Sequence, residues 1–326
     1  MTGPEQPTGS PLGREDLVRG ILGEDATFTA AEIAENAAVD LDTTKRLWRA
    51  LGFPEYGDDE VAFTRADAEA LTLLQETVDK GTIDIDTAMN LTRALGSTMS
   101  RLADWEISAL GPMLGPVEGD RVAAASAMLE ETRQSFEHLM VYAWRRHLAA
   151  AAARSEEFGP DDEVKTSEVT VGFADIVAFS ALSNDIGEER VGDLVEVFES
   201  RCHDVVAAHR GRVIKSLGDS VLFVSDDAVR ALDIADGIIQ VIGRDARMPD
   251  VRVGLASGGV VMRMGDVFGP SVNLAARLTA VARRNRVIID EATAHLLPED
   301  EFNTRKLPAR PLRGFGLVEP ITVRRA

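Results

Sequence analysis

Six polar residues in the second half of the chain have the types and spacing that handle metal ions and phosphate: Asp175, Lys215, Asp219, Asp266, Asn273 and Arg277. They stand in the segments VTVGFADIVAFS, VIKSLGDSVLF and MGDVFGPSVNLAARL. Asp175 closes a β-branched, apolar run, and Asp219 sits in a Gly-Asp turn between two more such runs. Two carboxylates at a strand-end surface, with no Cys or His beside them, suit Mg²⁺ or Mn²⁺ rather than zinc. Asn273 and Arg277 are four residues apart in a helical run, so an amide and a guanidinium share one face about a turn apart. A guanidinium so placed can clamp an anion.

The elements that must position these groups follow from the same stretch. EVTVGFADI reads as a strand, and a helix is expected over about 188–210, stopped by Gly211. RVIKSLGDSVLFV reads as two strands joined by a Gly-Asp turn, a strong hairpin signal. A second helix is expected over about 227–244, two strands in VRVGLASGGVVMRMGDVFG, and a helix over 271–284. RVIID and the terminal PITVRR add strands. The order βαββαβ predicts a ferredoxin-like α+β arrangement with elements appended after it. In such a sheet Asp175 and Asp219 are expected to be neighbours.

Taken in order, these motifs make residues 167–326 similar to the catalytic domain of the class III adenylyl/guanylyl cyclases. The resemblance covers about half the chain. It implies two metal ions, Mg²⁺ or Mn²⁺, between Asp175 and Asp219, with the backbone carbonyl of Ile176 as a further ligand. It implies that Lys215 and Asp266 read the base. An ammonium donates to adenine N1 and a carboxylate accepts from its 6-amino group, whereas guanine presents the reverse pattern, so ATP is the expected substrate. Asn273 is expected to orient the ribose and Arg277 to neutralise charge on the α-phosphate, a role worth about 3–4 kcal/mol per donor in a water-poor site. Arg313, in PLRGFG, lies where some relatives place a basic residue on the triphosphate. In the family these groups are split between two catalytic domains paired head to tail. One chain carrying all of them is expected to form a homodimer with two equivalent sites. A catalytically silent nucleotide-binding signalling protein is the competing reading; loss of one of the six groups would favour it, and none is missing.

The rest of the chain bounds the setting. Its 326 residues carry a formal net charge of −19 with 45 % hydrophobic content, which predicts a folded protein of two domains. The expected plan is a disordered tail over 1–13, an all-α domain over 14–153, a charged linker over 154–166 and the catalytic domain over 167–326. No run of 18 apolar residues exists and residues 1–16 lack a basic-then-apolar leader, so a cytoplasmic protein with no membrane span is expected. The single cysteine, Cys202, lies in an apolar-periodic run and reads as a buried helix residue.

In the first half, Thr29 and Glu32 form a capping-box pattern ahead of a helix, a turn near 39–42 and a second helix ending at Gly52–Pro54. That second helix offers Lys45, Arg46 and Arg49 to DNA, but Asp40, Asp42, Glu55, Asp58, Asp59 and Glu60 flank it. Residues 1–150 hold 26 acidic against 13 Lys or Arg residues, a balance of −13, so no nucleic-acid partner is expected. RLWRALGFP and the acidic helical region after it resemble, more weakly, the regulatory domain of soluble actinobacterial adenylyl cyclases. In some of those the domain responds to pH or binds a lipid, properties that attach to no particular residue here. A long helix over 120–153 carries an apolar stripe through Val122, Leu129, Phe136, Met140 and Ala143. His147 is expected at its centre, with His138 on the opposite face. A histidine on a buried stripe reads either as a neutral core residue with no switching role or as a proton sensor.

Overall fold

The computed structural model describes residues 13–114, 121–154, 166–263 and 265–326. Residues 1–12 of the expected tail and 155–165 of the expected linker lie outside the described residues. The chain divides into two compact units, Met1–Ser155 and Glu156–Ala326.

The first unit is helical: α1 (Arg14–Leu22), α2 (Ala30–Asn36), α3 (Leu41–Ala50), α4 (Arg65–Asp79), α5 (Ile85–Leu110) and α6 (Arg121–Arg154). The capping box forms as its pattern predicts. The Glu32 N–H donates to Thr29 Oγ1 at 3.3 Å and the Thr29 N–H to Glu32 Oε2 at 2.8 Å, satisfying two N–H groups that α2 would otherwise leave bare. Ile33, Leu47, Phe63, Leu71 and Met89 build the core. Trp48 packs on Phe53 and Phe63 with ring centroids 4.6 and 4.5 Å away, and its indole N–H donates to the Pro54 carbonyl. That anchor is why RLWRALGFP ends a helix in a tight return.

The stripe on α6 is half-buried from Val122 to Ala143. His147 departs from the expectation: it is exposed, and so are Trp144 and Leu148 beside it. Among the described residues of its own unit nothing covers the last turns of α6, so the burial that a proton-sensing His147 requires is missing.

In the second unit the elements are β1 (Ser167–Ile176), α7 (Phe179–Ile186), α8 (Glu188–Ala208), β2 (Arg212–Ser216), β3 (Ser220–Ser225), α9 (Ala228–Gly243), β4 (Val251–Arg263), β5 (Asp266–Phe268), α10 (Pro270–Val281), β6 (Val287–Ile289), α11 (Glu291–His295), β7 (Phe302–Lys306), β8 (Arg310–Leu312), β9 (Gly316–Val318) and β10 (Ile321–Arg325). The main sheet runs β2-β3-β1-β4-β6-β10-β7, with β5 paired to β4 and β8 paired to β9 apart from it. β1 lies antiparallel to both β3 and β4, and β6 runs parallel to β4. Alternate residues of each strand feed two cores. Ala174, Ile176, Val221, Phe223, Val253 and Leu255 face a core that holds α8 and α9, including Phe198, Cys202, Leu232 and Ile238. Val169, Val171, Leu222, Val224 and Ala256 face α10 through Ala275 and Leu278. Cys202 is fully buried, and burial pushes its thiol well up, so it is an inert core group.

Helix α10 is seated against β4 at Gly254. A Cβ there would fall 2.4 Å from the Thr279 backbone nitrogen and 2.6 Å from the Ala275 carbonyl oxygen. Neither backbone atom can swing aside, so only glycine admits the helix this close. We expect Gly254→Ala to destabilise the second unit by about 1–3 kcal/mol through overpacking. Urea unfolding of the full chain, followed through the transition of that unit, measures the loss.

Candidate active site

The ladder fixes Asp175. It closes β1 opposite Ser220 of β3 on one side and Arg252 of β4 on the other. Ser220 Oγ donates to its Oδ1 at 2.7 Å, while Arg252 holds Oδ2 through Nε at 2.7 Å and a second guanidinium nitrogen at 2.6 Å. Arg252 Nη1 also donates to the Ala280 carbonyl, tying the end of α10 to the same point. The chain turns sharply after the strand: Val177 donates its N–H to the Asp250 carbonyl, and Ala178 takes a left-handed conformation at φ 57° to start α7.

Asp219 occupies the β2–β3 turn, where Gly218 supplies the positive φ. Its backbone carbonyl accepts the Ile176 N–H at 3.0 Å, so the two loops that end in carboxylates are bonded to each other. Burial, and next the charge of Asp175, push the Asp219 carboxyl above the usual range, and Arg252 offsets this only in part. Asp219 has no ion pair among the described residues. A partly buried, unpaired carboxylate beside a second carboxylate is a chemical fit for a hard divalent cation. Mg²⁺ in particular keeps several waters and takes one or two carboxylates plus substrate phosphate oxygens. Asp175, Asp219 and the Ile176 carbonyl are the groups that would hold it.

Lys215 on β2 and Asp266 at the start of β5 come together from 51 residues apart, with Nζ 2.5 Å from Oδ2. The Val267 N–H donates to the other oxygen, Oδ1, at 2.8 Å. Burial acts to raise the Asp266 carboxyl, but the Lys215 hydrogen bond, the Val267 N–H and the Lys215 charge together bring it below the usual range. A donor and an acceptor thus stand side by side on a partly buried edge, fixed enough to read a planar heterocycle.

Asn273 and Arg277 share the exposed face of α10, opposite buried Ala275, Leu278 and Thr279. Asn273 Nδ2 donates weakly to the Gly269 carbonyl at 3.4 Å, and Arg277 has no ion pair among the described residues. Neither bonds to Asp175, Asp219, Lys215 or Asp266. Arg313 lies exposed in the β8–β9 turn and is likewise bonded to none of them. The six groups therefore fall into three pairs within one chain: Asp175 with Asp219, Lys215 with Asp266, and Asn273 with Arg277. Sequence reasoning missed Arg252. Its signal is a lone cation within the apolar run VRVGL, but only the β1–β4 register makes it a neighbour of Asp175.

Residues 162–322 match the family described as the adenylate and guanylate cyclase catalytic domain, and residues 16–135 match the adenylate cyclase regulatory domain. An adenylate cyclase of Streptomyces coelicolor is 38 % identical over 334 residues, spanning 92 % of this chain and 86 % of that protein. The chain belongs to the class III adenylate cyclase family. A pH-sensitive adenylate cyclase of Mycobacterium tuberculosis is 32 % identical to this cyclase over 94 % of the chain and 81 % of its own length. Among solved structures, the catalytic core of a rhodopsin-guanylyl cyclase with converted specificity is similar over 49 % of the cyclase, at 23 % identity and a TM-score of 0.47. No helix among the described residues is long and apolar enough to cross a membrane.

A carboxyl whose pKa is raised on folding destabilises the fold while ionised, and the penalty vanishes as pH falls below its ordinary value. At neutral pH the ionised, metal-free Asp219 therefore opposes folding. We expect metal-free Asp219→Asn cyclase to melt above metal-free wild type. Added Mg²⁺ should raise the melting temperature of wild type and leave that of the variant unmoved, as calorimetry in the presence and absence of chelator reads directly.

Proposed function

We propose that this cyclase converts ATP to 3′,5′-cyclic AMP and pyrophosphate by two-metal phosphoryl transfer, in a head-to-tail homodimer whose helical unit regulates the catalytic one. The closed Lys215–Asp266 pair carries the choice of substrate. Adenine N1 is an acceptor and its 6-amino group a donor, matching the ammonium and the carboxylate; guanine would meet a mismatch at both positions. The same reading takes β1 to β4 with their helices as a ferredoxin-like βαββαβ core, which the strand order β2-β3-β1-β4 supports.

The reaction joins the ribose 3′-oxygen to the α-phosphorus, breaks the bond from that phosphorus to the bridging oxygen, and releases pyrophosphate. Bound by Asp175, Asp219 and the Ile176 carbonyl, two Mg²⁺ or Mn²⁺ ions would lower the pKa of the 3′-hydroxyl and neutralise the leaving pyrophosphate. Arg277 offsets the negative charge that builds on the α-phosphate, and Asn273 holds the ribose so that its 3′-oxygen lies in line. Arg252, beside the carboxylates, is a guanidinium within the site that could also contact phosphate oxygens. Arg313, exposed in the β8–β9 turn, adds a further triphosphate contact on this reading.

A site shared by two chains is supported by the exposed face of α10, where Asn273 and Arg277 point to solvent and bond to none of the other four groups. Each chain would give its aspartates and base readers to one site and its Asn273–Arg277 face to the other. On this reading Asp175→Ala and Arg277→Ala proteins are each expected to lose activity by about 100-fold or more. A mixture of equal parts should return about one quarter of wild-type activity, because one site in four then receives both intact contributions. Cyclic AMP assays after subunit exchange decide this, and no recovery despite demonstrated exchange argues against a shared site.

Base choice has its own test. Lys215→Glu combined with Asp266→Cys exchanges donor and acceptor at the purine edge, and the ratio of GTP to ATP use is expected to rise by roughly tenfold or more. Competition between the two nucleotides at equal concentration gives that ratio, and an unchanged value removes the pair from base recognition.

A further inference from the structure

The helical unit contains a groove of about 510 Å³ between α3 and α5, a volume within the range of about 300–1,000 Å³ usual for small-molecule sites. Arg46 and Arg49 line it from α3, and Arg93 lines it from α5, above a floor of buried Ala50 and Met89. Asp86 and Asn90 complete the α5 side. These positions are what helical geometry allows. Residues 46, 49 and 50, and residues 86, 89, 90 and 93, recur every three or four positions and so share one face of each helix.

Two features distinguish this groove from an ordinary solvated surface. The first is charge. Residues 1–150 hold only 13 Lys or Arg among 26 acidic residues, yet three of those arginines converge here. Arg49 is engaged, with Nη1 3.0 Å from Glu55 Oε2. Arg46 has no ion pair among the described residues, and Arg93 makes only a long hydrogen bond, 3.3 Å, to the Asn90 amide oxygen. Asp86 lines the same groove without pairing with any of them. In so acidic a unit, two guanidinium groups left unneutralised around one concavity hold open a place for an anion.

The second feature is a fixed frame. At Gly96 an added Cβ would fall 2.2 Å from the Leu51 carbonyl oxygen, so the chain just after α3 and the backbone of α5 are in direct contact. Gly96, Thr92, Met89 and Ala88 are all buried along α5. The arginines therefore project from two helices whose spacing is set by backbone contact rather than by mobile side chains.

We propose that this groove binds a small phosphorylated metabolite, with its phosphate between Arg46 and Arg93 and a hydroxyl or amino donor on the Asp86 carboxylate and the Asn90 amide. Guanidinium forks match phosphate oxygens two at a time, and an acidic acceptor beside them favours a ligand that carries donors apart from its phosphate over a bare inorganic anion. The helical unit would by this route sense a metabolite independently of the nucleotide at the catalytic site.

The test is equilibrium binding to the full chain by calorimetry without divalent metal, so that no turnover contributes and the result stands apart from the catalytic reading. The probes are inorganic phosphate, ribose 5-phosphate and AMP, with ribose as the uncharged control. Saturable binding of ribose 5-phosphate or AMP is expected, tighter than phosphate, with ribose silent. Arg46→Gln and Arg93→Gln should each weaken it by about tenfold or more, while Arg65→Gln, on α4 and outside the groove, should not. Circular dichroism confirms that each variant is folded, and Arg46→Lys, which keeps the charge and loses the fork, should bind with intermediate affinity. Binding of no phosphorylated probe to wild type, or binding that survives the Arg46→Gln, Arg93→Gln double variant, overturns the proposal. So does tighter binding of a short DNA duplex with the same arginine dependence, which would make the groove a nucleic-acid contact.

Discussion

Two partly buried carboxylates held side by side repel each other, and the catalytic unit is arranged around that repulsion. Asp175 is relieved by Arg252 and Ser220 within the sheet itself. Asp219 is left with burial and a neighbouring negative charge acting against it. A divalent cation bound here would relieve that imbalance, and the backbone bond from Ile176 to Asp219 keeps the pair from drifting apart.

That arrangement depends on β1 being a central strand. Because β1 pairs with β3 and β4 on its two edges, one residue at its end meets a serine from one neighbour and an arginine from the other. Its alternating side chains feed both cores, so the strand has no freedom to slip: a shift of one residue would turn Asp175 toward α8 and α9 and drive apolar groups to the other face. Packing energy spread over both cores thus fixes a charge constellation that would not hold its own geometry. The close seat of α10 at Gly254 extends the same rigidity to Asn273 and Arg277.

The two units are built on different principles. The catalytic unit concentrates opposed charges along strand ends, where the ladder sets distances. The helical unit is acidic over most of its surface and gathers unpaired arginines in one groove between helices in backbone contact. An acidic surface of this kind repels polyanions at long range, yet a pair of guanidinium groups lining one groove can still attract a small anion within about a Debye length, roughly 8 Å at physiological salt.

Local order was legible in the sequence wherever neighbours three or four residues apart decide it. The Thr29–Glu32 capping box, the β2–β3 hairpin with its Gly218–Asp219 turn, the helical spacing of Asn273 and Arg277 and the apolar setting of Cys202 all follow from residue type and short-range pattern. Helix α7 was not legible, because it is eight residues long and begins from a left-handed alanine that no pattern announces. The strands β7 to β9 were missed because their short, mostly polar runs are stabilised by pairing rather than by their own hydrophobicity. Which charged groups meet was decided only in three dimensions. Lys215 finds Asp266 across 51 residues and Arg252 finds Asp175 across 77, through strand order and register. His147 lies on the line that helical periodicity draws, yet it is exposed, because a stripe specifies a face and not what covers it. Residue types alone determined the chemistry available to this protein. Cross-strand register and helix seating, set by the burial of apolar side chains far from the charges, decided which of those groups could act together.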